Sequence, residues 1–544
     1  MPSAFPARFR RLALGLTIAT GLWSIAQADQ PRTEVTAFDQ AIAEAAYAGA
    51  AFDEVIGAFY RDRAYRPIWV GDDAAARGRR AALLRALRGA GLHGLPASRY
   101  DPEALRAQLA SVRTTRDLGL AEVAMSRAFL QYASDVHSGI LDPSSIDDYI
   151  DRQPARPDGL ALLRDISTGD PKDVLAGLAP QSLEYRRLLK ERLNLLRIIQ
   201  AGGWGATVPM RKMEPGDTGP AVIALRDRLV RMGYLRRGLS ARYDKALERA
   251  VRAFQHDHGL KPDGVAGKGT IAEINVSATE RMKSVLVALE RERWLGDRGR
   301  KYVLVNQPDF TARIIDDGRE TFRTRTVIGK NVHDRRSPEF SDEMEHMIIN
   351  PSWYVPRSIM VKEYLPKLQQ NPNAAGHLII TDVRGQQVDR GSMDFTQFTA
   401  RNFPFDMRQP PGARNALGRV KFMFPNKHNV YMHDTPEKHL FKREVRAYSH
   451  GCIRLADPFD FAYALLAEEV GRVDDPVGFF QSTLKTGRET QVDLDRHLPV
   501  HIIYRTAFTK PKGGLEFRRD VYGRDAKIWK ALQQQGVALP GVQG

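Results

Sequence analysis

Ser449-His450-Gly451-Cys452-Ile453-Arg454-Leu455 holds the only cysteine in a chain of 544 residues. A single thiol forms no disulfide within its own chain. An isolated Cys ordinarily serves as a small buried hydrophobe, but the polar Ser-His-Gly before it and Arg454 after it do not suit a core. Gly451 permits unusual dihedrals or a close backbone approach, so the stretch reads as a nucleophile in a tight turn. On an extended segment Arg454 shares a face with Cys452, where its charge favours the thiolate. The partner comes from Lys427-His428-Asn429-Val430-Tyr431-Met432-His433. This run reads as a strand, with Asn429, Tyr431 and His433 on one face and Val430 and Met432 toward a core. Pro436 closes it, because proline cannot continue a ladder. His433 is thereby the expected activator, since a paired His can hold a thiol well below its free pKa of about 8.5. His428 and His439 read as surface residues. Asp457-Pro458 then opens a helix as N-cap and first residue, with Phe459, Tyr463, Leu466 and Val470 as its buried stripe.

Working outward, the surroundings are strand-like from about Thr279. Lys301 to Asn306, Phe310 to Asp316, Thr324 to Ile328, Met347 to Asn350 and Val420 to Phe424 are candidate strands, and Asp316-Asp317-Gly318 a hairpin turn. Between Trp353 and about Gly412 lies a polar, partly helical insertion, helical over Val361 to Leu368 and extended at Leu378-Ile379-Ile380. It reads as a cap beside the site.

Upstream the pattern is helical. Residues 29–204 form a helical scaffold by periodicity, with Leu188, Leu195 and Ile199 among the apolar positions of one helix. Its aromatic segment Phe59 to Trp69 reads as packing. Residues 213–275 form a compact three-helix unit. One helix carries Val222, Leu225, Leu229 and Met232 and stops at Gly233; a second carries Leu247, Val251 and Phe254; Thr270 caps a short third. At the N-terminus Arg8, Arg10 and Arg11 precede an apolar stretch from Leu12 to Ile25 and Ala26-Gln27-Ala28, the pattern of a cleaved export signal over residues 1–28. The net charge of +16 favours an anionic partner. Export directs that expectation to a cell-wall polymer or membrane surface rather than nucleic acid, with membrane contact only through an uncleaved signal segment.

Two resemblances sharpen this reading. Gly216-Asp217-Thr218-Gly219, Leu225, Leu229, Gly233-Tyr234, Ala250 to Gln255, Asp263-Gly264 and Gly267 to Thr270 resemble the peptidoglycan-binding domain 1 family. His433, followed by Ser449-His450-Gly451-Cys452-Ile453-Arg454, resembles the motif of the YkuD-type L,D-transpeptidases. Asn350-Pro351-x-Trp353-x-Val355-Pro356 and Ala416-Leu417-Gly418-x3-Phe422 look like their large YcbB-like branch. The fold class implied is multidomain α+β: the helical scaffold (29–204), the binding module (213–275), a mostly-β catalytic domain (279–510) with its insertion (about 353–412), and a C-terminal extension (511–544).

The resemblance implies a periplasmic enzyme of cell-wall biogenesis and cell shape, with stem peptides, glycan strands and other cell-wall synthesis proteins as partners. It implies no cofactor and no metal. Cys452 attacks the third-position carbonyl of a tetrapeptide stem, D-Ala leaves, and the side-chain amine of another stem resolves the thioester to a 3→3 cross-link. His433 moves the protons, the Asp434 carbonyl orients its ring, and N–H groups around Gly451 and Cys452 form the oxyanion hole. Tyr431, Ser449, His450, Arg454 and Trp353 shape the site or touch substrate. His450 is the lesser base candidate, because some relatives carry Ser there. Resolution by water (an L,D-carboxypeptidase) or by a lysine of an envelope protein stays open. A cell-wall zinc peptidase finds no HExxH spacing, and a non-catalytic scaffold would not bind a carbapenem covalently at Cys452.

Overall fold

A computed structural model describes residues 36–469 and 471–539. The expected signal segment and Val470 lie outside these residues. Among the described residues no helix is long and apolar enough to cross a membrane.

The first part is helical, from Ala37–Ala45 through Leu183–Gln200, arranged around the long helix Thr115–Ser138. A capping box between Thr114 and Asp117 starts that helix. Its buried Glu122 explains the aromatic segment that precedes it. The carboxylate accepts the backbone N–H groups of Ile68 (2.5 Å), Trp69 (3.0 Å) and Val70 (2.9 Å) and the Tyr60 hydroxyl (2.6 Å). Phe59, Tyr60, Ile68 and Trp69 are therefore core residues folded around one buried acceptor.

Three helices, Pro220–Arg231, Lys245–Asp257 and Lys268–Asn275, enclose the small module's core of Val222, Leu225, Leu229, Val251, Phe254 and Ile271. Gly267, not Thr270, is the N-cap of the third helix. Thr270 lies inside it and accepts from Gln255 Nε2 at 3.1 Å.

The strand pattern begins later than expected. Ala278–Trp294 is a helix, buried on nearly every face. Its Glu290-Arg291-Glu292-Arg293 run looks solvated in sequence but is paired inside: Arg291 with Glu339 (2.5 Å) and Asp525 (3.1 Å), Arg293 with Glu290 (2.8 Å). One side meets Tyr185 and Leu188 of the scaffold, another Ile528, Trp529 and Leu532 of the C-terminal helix Arg524–Gln534. The C-terminal residues are thus part of a core. The boundary drawn at 510 cuts a hairpin whose strands are Ala507–Thr509 and Leu515–Phe517.

The main sheet comprises β1 (Lys301–Asn306), β2 (Thr311–Asp316), β3 (Arg319–Gly329) and β4 (Phe340–Ile349). The insertion's strands are β5 (Trp353–Tyr354), β6 (Ile379–Thr381) and β7 (Asp406–Gln409). The main sheet resumes with β8 (Val420–Met423), β9 (Met432–His433), β10 (Ala447–Ser449), β11 (Ile453–Leu455) and β12 (Thr490–Ile503). Its order is β10-β3-β11-β9-β8-β4-β12-β1-β2, and β2 also pairs with β3, so the sheet closes on itself. Asp317 and Gly318 both have positive φ (47° and 73°), as a two-residue turn between right-twisted strands requires.

Val303, Met347, Phe422, Met432 and Ile453 fill the sheet's core, with Phe461, Ala462, Leu465 and Leu466 of helix Pro458–Leu466 against it. The expected stripe is rotated: Phe459 and Tyr463 are half-buried and meet Phe480 of the next helix, with ring centroids 5.1 and 5.5 Å away. The Asp457 carboxylate does not cap; it accepts from Thr324 Oγ1 at 2.8 Å.

The insertion is less polar than its sequence suggested. β5, β7 and β6 form a separate sheet, and Val355, Leu368, Ile380, Phe395, Phe405 and Met407 give it a core of its own. Helical residues 357–370 include a π turn at Met360–Tyr364, a wide turn frequent beside functional sites.

Candidate active site

The parallel pair β9–β11 places the chemistry. Ile453 lies opposite Met432 and Arg454 opposite His433. Ile453 and Met432 are fully buried in the core, so alternation turns Cys452, Arg454, Tyr431 and His433 to the other face. All four line a cavity of about 1400 Å³. Its opposite wall comes from the insertion, through Trp353, Tyr354, Arg357, Glu363, Tyr364 and His377. Cys452 and His433 occupy diagonal positions on neighbouring strands.

Only Met432 and His433 are extended; the strand expected from Lys427 is shorter. Asn429 has a φ of 53° and is exposed, yet it lines the same cavity as Tyr431 and His433. Its carbonyl lies 3.8 Å from Cys452 Sγ. His428 is not a free surface residue: its Nε2 meets Asp151 of the scaffold at 2.8 Å. His439 is exposed.

His433 Nδ1 donates to the carbonyl of Asp434 at 2.5 Å, which leaves the Nε2 lone pair free. The Asp434 carboxylate points elsewhere, accepting from the Arg419 N–H (2.9 Å) and Lys438 Nζ (2.6 Å). A Cβ at Gly418 would sit 2.3 Å from that carboxylate, so this glycine is required by close approach. Burial first, then the Arg454 charge, pushes the His433 pKa down to about 3, although the carbonyls of Asp434 and Leu417 pull the other way. Burial also pushes the Cys452 thiol up, opposed by hydrogen bonding to Tyr431 and by the Arg454 and Lys421 charges. The resting pair is accordingly thiol and neutral imidazole. The thiolate–imidazolium pair expected from sequence is disfavoured because both groups lie in a desolvated floor.

The turn holding Cys452 is fixed from three directions. Gly451 has a φ of 122°. Ser449 Oγ donates to the Cys452 carbonyl at 2.6 Å and accepts from the Gly451 N–H at 3.2 Å. Ser337 Oγ donates to the Gly451 carbonyl at 2.6 Å. The Gly451 N–H is thus occupied and drops out of the expected oxyanion hole. Among the described residues nothing accepts from the Cys452 N–H.

Three comparisons with known proteins bear on this site. Residues 300–479 match the L,D-transpeptidase catalytic domain family (YkuD), which contains both Cys452 and His433. The chain carries an L,D-transpeptidase catalytic domain. Residues 218–274 match the family described as "Putative peptidoglycan binding domain", and residues 54–191 match a scaffold domain. A Haemophilus influenzae protein named "Putative L,D-transpeptidase" is 31% identical over 228 residues, 42% of this chain and 45% of that relative. The match therefore spans less than half of the relative's length. Among solved structures, an L,D-transpeptidase from Xylanimonas cellulosilytica shares 15% identity over 55% of this chain and 98% of that one, with a TM-score of 0.17. A fused zinc-dependent amidase/peptidase and peptidoglycan-binding protein from Clostridium acetobutylicum shares 11% identity over 54% and 99%, with a TM-score of 0.15. Scores this low add nothing to the assignment.

Within the transpeptidase domain, the remaining expected residues take distinct places. Arg454 pairs with Glu437. His450 is exposed and meets Glu363 of the insertion at 2.6 Å, and Arg335 meets the same carboxylate at 2.7 Å. Trp353 is buried to 9% exposure in the insertion's core, whereas its neighbour Tyr354 presents a 66% exposed ring. Ser337, Glu363, Glu437 and Lys421 were not singled out from sequence. Their only signal is position in space: Ser337 and Glu363 come from distant stretches of chain, and Lys421 and Glu437, although near His433 in sequence, are placed by register and pairing. His256, Asp257 and Glu516 form a potential metal-ligand group, but Lys510 already meets Asp257 at 2.7 Å and none of the three lines this cavity.

Proposed function

We propose that the protein is a peptidoglycan L,D-transpeptidase that forms 3→3 cross-links through a thioester on Cys452. The observation that carries this reading is the convergence of Cys452 and His433 on the floor of one large cavity, with the His433 tautomer held by the Asp434 carbonyl. The match of residues 218–274 to a peptidoglycan-binding family supports the substrate class.

The chemistry follows from the neutral resting pair. A stem peptide enters with its third-position carbonyl over Cys452. His433 Nε2 accepts the thiol proton as the Sγ–C bond forms, and the carbonyl oxygen becomes an oxyanion facing the Cys452 N–H. Such a donor is worth about 3 kcal/mol to the barrier. Collapse breaks the C–N bond to D-Ala, whose amine takes the proton from His433. The acceptor amine then attacks the thioester, loses its proton to His433 and releases the thiol. The cavity of about 1400 Å³ exceeds the common range for a single small ligand, about 300–1,000 Å³, as a site for two stems requires. The export-signal pattern at the N-terminus supports a periplasmic location.

A defined disaccharide-tetrapeptide, incubated with the enzyme and read by mass, tests this. Dimers cross-linked from third position to third position support the proposal. Tripeptide alone would redirect it to a carboxypeptidase.

A further inference from the structure

Lys421 stands directly opposite His433 across the antiparallel β8–β9 pair. Its neighbours Val420 and Phe422 are fully buried in the sheet's core, so Lys421 points to the face that carries His433, Tyr431 and Cys452. It is half-buried, and Nζ lies 5.9 Å from the centre of the Tyr431 ring. Tyr431 in turn lines the cavity together with Cys452. Two cations therefore act on the thiol, Arg454 and Lys421. They differ in one respect: Arg454 is already in an ion pair with Glu437. Among the described residues, no carboxylate comes within ion-pair distance of Lys421; Glu489 and Cys452 act on it only at longer range.

We propose that Lys421 is a positioning residue of the transpeptidase site, whose uncompensated charge holds negative charge on Cys452 Sγ from behind Tyr431. The inference rests on Cys452 being the nucleophile. Arg454 takes the lesser part, because Glu437 offsets its charge. The groups facing Lys421 are Tyr431, neutral His433, Cys452 and, farther away, Glu489. Of these, only the thiol sulfur takes on negative charge as its proton leaves during acylation. A half-buried ammonium without a salt bridge is costly to keep, and stabilising that transient charge is what its placement achieves.

The test measures iodoacetamide alkylation of Cys452 in the full chain against pH, a readout independent of peptidoglycan chemistry. Lys421→Met should move the midpoint upward and slow alkylation at pH 7 by about three- to tenfold, since one pKa unit is tenfold in thiolate. Rates should converge with wild type at high pH, and Lys421→Arg should restore the wild-type midpoint. Lys421→Gln provides a second neutral variant should the methionine form fold poorly. A midpoint unchanged in the folded neutral variant overturns the proposal. Failure of the nucleophile assignment is separate: it would appear as product formation by Cys452→Ala, whatever the alkylation profile.

Discussion

His433 faces Arg454 directly across the parallel β9–β11 pair, and this register puts Cys452 two residues before the histidine's partner rather than opposite it. The imidazole and the thiol therefore line the same cavity from diagonal positions, with a guanidinium beside the imidazole. That cation and the dry floor together keep the histidine neutral.

The pH dependence follows from this arrangement. With the His433 pKa pushed down to about 3, the base is unprotonated throughout the working range. With the thiol raised above its ordinary value, the reactive pair of thiol and neutral imidazole is fully populated from pH 6 to pH 8, so the acylation rate should be nearly flat over that range. A stopped-flow acylation profile checks this. A rising acidic limb with its midpoint near 6.5, the unperturbed imidazole value, contradicts it.

Glu437 offsets the charge of Arg454 and is itself about half exposed. Glu437→Gln should free that charge to act on Cys452 and speed alkylation at pH 7, opposite in sign to loss of Lys421. Because exposed ion pairs are weak, the expected gain is small, about two- to threefold. An unchanged or slower reaction would show that Glu437 does not mask Arg454.

Ser449 joins the Cys452 carbonyl and the Gly451 N–H through one hydroxyl. Ser449→Ala removes both bonds, each worth about 0.5–1.5 kcal/mol. We expect acylation to fall about tenfold and the melting temperature to drop by a few degrees, with the chain still folded. Ser449→Thr should recover part of the rate, as it keeps the hydroxyl.

Arg524 has no exposed surface and bonds the Ser337 carbonyl at 2.8 Å and Glu339 at 3.2 Å. Ser337 in turn holds the Gly451 carbonyl. Arg524→Met should cost about 1–3 kcal/mol, the usual penalty for leaving a buried carbonyl unpaired, since Arg291 still meets Glu339. Denaturant unfolding measures it, and a loss below about 1 kcal/mol would remove Arg524 from the supporting frame.

Much of this is legible in the chain itself. Cys452 and His433 stand in a motif whose residue types declare their chemistry, and the β9–β11 pairing brings both to one cavity. The helical scaffold and three-helix module follow from 3.6-residue periodicity. What escaped has physical causes. The run Glu290 to Arg293 looks solvated because pairing partners such as Glu339 and Asp525 lie far along the chain. The Phe459 and Tyr463 stripe is misjudged because a second helix supplies another apolar surface. The strand expected from Lys427 shrinks to Met432–His433, and Asn429 before it takes a positive φ that alternation cannot anticipate. Lys421 is hidden because its meaning depends on register: only the β8–β9 pairing sets it beside the histidine.

The central claim is a covalent acyl-enzyme on Cys452. Intact-protein mass spectrometry after mixing with a defined disaccharide-tetrapeptide tests it most directly. The wild-type chain should gain the mass of the stem fragment without D-Ala, mapped to the peptide containing Cys452, while Cys452→Ala should gain nothing and release no D-Ala. Release of D-Ala or cross-linked product by Cys452→Ala would contradict the account.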